Sequence, residues 1–100
     1  MYRDAALDLI KRHESELRKL GIVRLSLFGS TARDEAGSAS DIDVAVRLEN
    51  VPSGFAYFGR LDAITERLAQ ILGTSVDVVP EPAPAPRVQE AIERDRCRAF

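Results

Sequence analysis

The sequence predicts an α/β (α+β) domain: a small mixed β-sheet covered by helices, chiefly on one face. Three observations carry that expectation. Apolar residues recur at three- and four-residue spacings in three long segments, and in shorter segments they alternate. Gly21, Gly29, Gly54, Gly73 and Pro86 stand at or beside the boundaries between them. The resulting order, helix, strand, short helix, strand, helix, strand, helix, interleaves the two element types as layered folds do.

Residues 3–20 read as a helix in which Ala6, Leu7, Ile10, Leu17 and Leu20 share a face, with Gly21 just past its end. His13, among Lys11, Arg12 and Glu14, reads as a solvated helix residue. Residues 22–28 read as a strand. Val23, Leu25 and Leu27 line one face, and Ile22 and Phe28 make the other partly apolar, which suits a central position. Gly29-Ser30 ends it, residues 30–33 resemble one helical turn, and residues 34–40 form a polar loop containing Gly37. Residues 41–48 alternate, Ile42, Val44, Val46 and Leu48 opposing Asp41, Asp43, Ala45 and Arg47. A turn at 50–54 leads into a helix over 55–72 with Phe58, Leu61, Ile64, Leu68 and Ile71 as its buried stripe. Residues 75–79 form a short strand in which Val76 and Val78 oppose Asp77. The proline-rich stretch 80–86 is a stiff connector of polyproline character. Pro86 opens a helix running to about Asp95 with Val88, Ala91 and Ile92 inward, and residues 96–100 make a last short strand.

At 100 residues the chain is expected to form one domain, 1–100, of ordinary globular composition. Its net charge of −2 argues against broad nucleic-acid binding, which needs a basic face, but leaves room for a nucleotide whose charge is met by metal ions. The single cysteine, Cys97, allows neither an internal disulfide nor a cysteine-rich zinc site, and fits a cytoplasmic setting. The first residues lead into a charged amphipathic stretch, not a signal core, and no apolar run approaches the ~20 residues that cross a bilayer.

The chemistry concentrates in three places. Asp41 and Asp43 are two apart on a strand, so they point the same way with Cα atoms ~6.5 Å apart. Two carboxylates at ~6 Å repel by roughly 3 kcal/mol at an effective dielectric of 20, which a bridging hard cation such as Mg²⁺ relieves. Gly29-Ser30, at a strand-to-helix turn, lets backbone approach a phosphate and offers free N–H groups and a hydroxyl. Asp77 stands among Val76, Val78 and Val79, a costly place for a carboxylate without a partner. If its strand lies beside the Asp41–Asp43 strand, three carboxylates can hold two metal ions ~3.5–4 Å apart for in-line transfer. Asp77 is then the best-placed general base or hydroxyl-orienting group. Each piece alone has a plainer reading: a solvated strand face, a helix cap, an exposed strand end. Their joint spacing is much more specific.

The segment Leu27-Phe28-Gly29-Ser30-Thr31-Ala32-Arg33, followed by Ser40-Asp41-Ile42-Asp43-Val44, resembles the Gly-Ser-x10-Asp-x-Asp signature of the DNA polymerase β nucleotidyltransferase superfamily. The layout from the first helix to the 86–94 helix is similar to its minimal, MntA-like group. The resemblance implies a polymerase-β-like nucleotidyltransferase fold, with Gly29 and Ser30 at the triphosphate and Asp41, Asp43 and Asp77 as metal-binding catalytic carboxylates. It also implies two Mg²⁺ ions and ATP as nucleotide substrate, and transfer of AMP to a tyrosine of a HEPN-domain toxin that the protein silences as antitoxin. Where the family commonly has Ala-Arg-Gly, this chain has Ala32-Arg33-Asp34. That extra acid either weakens triphosphate binding or points outward, and Arg33 contacts phosphate or pairs with Asp34.

A chain this short has no separate domain to clamp base and acceptor, so a partner is expected to complete the site: a HEPN protein or a second copy of the chain, as a homodimer. Phe55 and Tyr57 are the candidate interface residues, although ordinary helix packing is the simpler expectation for Phe55. Two other functions compete with the enzyme reading. One is a catalytically weak homologue that neutralises its toxin by binding alone. The other is modification of a small molecule, which the lack of an acceptor-binding domain disfavours.

Overall fold

A computed structural model describes residues 1–35 and 41–100. Of the predicted polar loop, residues 36–40, including Gly37 and Ser40, lie outside the described residues. The elements are α1 (Arg3–Arg12), α2 (Glu14–Lys19), β1 (Ile22–Phe28), α3 (Gly29–Ala32), β2 (Ile42–Leu48), α4 (Phe55–Leu72), β3 (Val76–Pro80), α5 (Pro86–Asp95) and β4 (Cys97–Arg98).

The sheet order is β3-β2-β1-β4. β1 runs antiparallel to both β2 and β4, and β2 runs parallel to β3, so the sheet is mixed and β1 is central as expected. The parallel pair needs a crossover, and α4 supplies it. Leu25, Leu27, Ile42, Val44, Val46 and Val76 face the main core, where Ala6, Ile10, Leu17, Ile64, Leu68 and Leu72 cover them. On the opposite face Phe28 and Ala45, with Val79 of β3 beside them, pack against Ile92 of α5. Helices therefore gather chiefly on one face, with α5 crossing the other.

Several details depart from the sequence expectation. A register irregularity between Ile22 and Arg24 brings Ile22, not Val23, into the main core with Leu25 and Leu27. The first helix is broken. His13 is half-buried, not solvated, and its Nδ1 donates to the Leu9 carbonyl at 2.8 Å. In an unbroken helix that carbonyl would accept the His13 N–H, which bonds instead to the Ile10 carbonyl at 3.0 Å. The turn tightens, and α2 starts as a separate segment, tied to α4 by the Glu16–Arg67 ion pair. In α4, Phe58 is 62 % exposed, and the buried residues are Ile64, Leu68 and Leu72. Phe55 in that turn is 95 % exposed, so it is not a packing residue of this chain. Among the described residues no helix is long and apolar enough to cross a membrane.

Candidate active site

Strand β1 delivers an extended Phe28 and then Gly29 at φ +71°, a conformation that L side chains rarely adopt. Glycine is required here twice over. A Cβ at position 29 would overlap Oδ2 of Asp43 and sit 3.2 Å from its Cγ and 3.4 Å from its Cβ. The backbone thus lies flat against the Asp43 carboxylate. Ser30 follows, half-buried, in the single turn of α3, whose Thr31 and Ala32 are buried.

The register across the sheet assembles the acids. Asp43 pairs with Phe28 of β1 on one side and with Asp77 of β3 on the other. Paired residues project from the same face of a sheet, so Asp43 and Asp77 stand side by side on strands ~4.8 Å apart. Asp41, just before β2, is exposed two residues away from Asp43, and Asp77 is exposed as well. Asp77 is not turned away from the pair. Asp43 titrates above the ordinary aspartate range: burial is the main cause, the negative charges of Asp77 and Asp41 add to it, and Arg33 opposes. Among the described residues no three His, Cys, Asp or Glu side chains are drawn together closely enough to hold a metal ion as they stand.

Arg33 pairs with Glu35 and, at 2.6 Å, with Asp95 of α5, not with Asp34. The carboxyl of Asp95 is held below its ordinary range by hydrogen bonds from Arg94 and Arg33. This bridge fastens the turn that carries Gly29 and Ser30 to the end of α5. Asp34 has φ +61°, a position suited to the glycine of the related pattern. Its Oδ1 accepts the backbone N–H of Arg3 at 2.9 Å, so it caps the first turn of α1 from a distant part of the chain. Asp34 thus has a structural partner in α1.

The sequence reading missed what α5 contributes. An apolar hollow of about 390 Å³ is lined by Phe28, Ala85, Arg87, Val88 and Ala91, and Phe28 is the register partner of Asp43. The inward stripe Val88, Ala91, Ile92 was the available signal, but its place over Phe28 depends on tertiary packing.

Comparison with known proteins identifies the family. The model of the nucleotidyltransferase domain family matches residues 10–98. The protein adenylyltransferase MntA of Thermococcus cleftensis is 35% identical over 72 residues, covering 71% of this chain and 69% of the relative. A candidate protein adenylyltransferase of Methanocaldococcus jannaschii is 31% identical over 90 residues, covering 88% of each chain. Among solved structures, a candidate minimal nucleotidyltransferase superposes with a TM-score of 0.78 at 30% identity, over 97% of this chain and 95% of that one. A complex of a tri-AMPylated HEPN toxin with its MNT antitoxin, from Shewanella oneidensis, shares the fold at a TM-score of 0.63 and 20% identity, over 94% and 71%. With nearly its whole length matched by the family model, the chain belongs to the nucleotidyltransferase domain family, in its minimal, MntA-like branch, and is a nucleotidyltransferase.

Proposed function

We propose that this enzyme moves AMP from ATP, with Mg²⁺, to a hydroxyl on a partner protein, a tyrosine of a HEPN-domain toxin, and thereby acts as its antitoxin. The observation that carries the reading is the row Gly29–Asp43–Asp77: backbone without a side chain, a fixed carboxylate, and a second carboxylate abreast of it on the neighbouring strand. Relatives named as protein adenylyltransferases support the reaction class, and the fold shared with an antitoxin bound to an AMPylated toxin supports the kind of acceptor.

The donor set fits a hard divalent cation. It is all carboxylate oxygen, and burial, with added repulsion from Asp77 and Asp41, raises the proton affinity of Asp43. Asp43 is held against Gly29, while Asp41 and Asp77 are exposed and free to turn toward a cation. When bound, Mg²⁺ supplies charge neutralisation of the triphosphate and acidification of the acceptor hydroxyl. The chain's own groups do the rest. The Gly29 and Ser30 amides meet the phosphates, for which the missing side chain leaves room. Asp77 orients the acceptor hydroxyl and takes its proton. It sits on β3, an edge strand, where a protein-sized acceptor can approach.

The test is incubation with labelled ATP, Mg²⁺ and the protein encoded beside this one. Label should reach the partner and disappear in Asp41→Ala and Asp77→Asn, together with toxin neutralisation. Neutralisation that survives Asp41→Ala would show that contact alone suffices.

A further inference from the structure

The α5 face of the sheet holds a second charged feature, beyond α5 from the carboxylates. Arg24 of β1 and Arg47 of β2 are register partners, and Arg98 of β4 pairs with Ser26. Together with Arg96 and Glu81 they line a cleft of about 550 Å³. Arg47 is four residues along β2 from Asp43, ~13 Å at strand rise, so the two regions are separate.

Two features of the cleft point to a ligand. First, like charges directly opposite on antiparallel strands are destabilising, and this sheet places two guanidinium groups so. Among the described residues, the side chains of Arg24, Arg47 and Arg98 make neither a hydrogen bond nor an ion pair. Second, part of the cleft is built. Arg96 forms a two-pronged pair with Glu81, at 2.8 and 2.6 Å, and Nη1 of the same guanidinium reaches the hydroxyl of the buried Ser26 at 3.3 Å. Gln89 of α5 donates to the same Glu81 carboxylate. This fixed wall leaves the other three arginines facing a shared space.

We propose that the cleft binds a compact phosphate-bearing anion of di- or triphosphate size, independently of the carboxylate site. Guanidinium forks match phosphate oxygens in pairs, and the cleft is of small-ligand volume. Its four arginines and one glutamate carry a net charge of +3 in a chain of net −2, which leaves −5 on the rest of the molecule. A nucleic-acid strand leaving the cleft would therefore meet unfavourable charge, whereas a ligand confined to it would not.

The experiment titrates the full chain with tripolyphosphate, and separately with ATP, in low salt without divalent cations, and follows backbone amide shifts and binding heat. Shifts are expected at Arg24, Ser26, Arg47 and Arg98. The Arg24→Ser/Arg47→Ser variant should lose about tenfold or more in affinity, since charge-assisted hydrogen bonds are removed. Its thermal midpoint in anion-free buffer should rise as the repulsion is relieved, which also shows that it folds. Arg98→Ala, on the sheet edge, gives a second, milder test and should weaken binding too, and Asp41→Ala should not. The proposal is overturned if the double variant binds as well as the parent, or if shifts appear only at Gly29 and Ser30. It is equally overturned if an RNA oligonucleotide or a glutamate-rich peptide binds the cleft while tripolyphosphate does not.

Discussion

A side chain on Gly29 has no place to go, because the carboxylate of Asp43 occupies the position its Cβ would take. Gly29→Ala therefore adds left-handed strain of ~1–2 kcal/mol and displaces Asp43. Denaturant unfolding should register a loss of at least that strain, and nucleotide transfer should fall far more than the stability loss explains.

Asp43 gives a pH dependence with a definite sign. Its folded-state pKa lies above the unfolded value, so the folded form holds its proton more tightly. The associated stability is fully present below the unfolded pKa and is lost as pH rises through the folded pKa. Without divalent cations, Asp43→Asn should be more stable than the parent at neutral pH, and the advantage should vanish in acid. Adding Mg²⁺ should stabilise the parent and leave the variant behind. Thermal unfolding across pH, with and without Mg²⁺, checks both statements; a parent more stable than Asp43→Asn at neutral pH without metal would contradict the first.

Ile92 is fully buried between α5 and the Phe28–Ala45 patch. Ile92→Ala should cost ~2–5 kcal/mol through lost burial and a residual cavity. Because Phe28 is the register partner of Asp43, activity per folded molecule should also drop. Chemical denaturation and active-fraction titration separate the two effects.

The hydroxyl of Thr31 is buried and has no hydrogen-bond partner among the described residues. Thr31→Val keeps the shape and removes the unsatisfied group, and should raise stability by about 1 kcal/mol. A drop in the unfolding midpoint would reveal a partner for that hydroxyl.

Phe55 is exposed at the end of the domain away from the acids. β2 begins beside Asp41 and Asp43 and ends at Leu48, and α4 starts beyond that far end. Phe55→Ser should leave stability unchanged within about 0.5 kcal/mol and leave the transfer chemistry of the isolated chain intact. Comparing the transfer rates of parent and variant is the check, and a slowed chemical step would refute this placement.

Much of the candidate site could be read from local pattern. Alternation put Asp41 and Asp43 on one face of a strand, and a glycine after a strand announced the bend at Gly29. Local chemistry of this kind repeats with the period of the backbone, so it is visible in a linear text. Phe55–Leu72 and Pro86–Asp95 were equally plain, because capping glycine and first-turn proline act within a few residues.

What a linear text could not decide was which distant groups meet. Asp77 stands beside Asp43 only because β3 adds to β2 in parallel and in one particular register, and a slip of one residue would have sent its carboxylate to the other face. Asp34 caps α1 across 31 residues, Arg33 chooses Asp95 over its neighbour, and His13 breaks a helix by taking the Leu9 carbonyl. Composition and order determined a mixed sheet with a glycine-serine bend and paired acids. The tertiary structure decided their company, because strand register, helix crossing and ion-pair choice are set by the packing of the whole chain and not by the spacing of its residues.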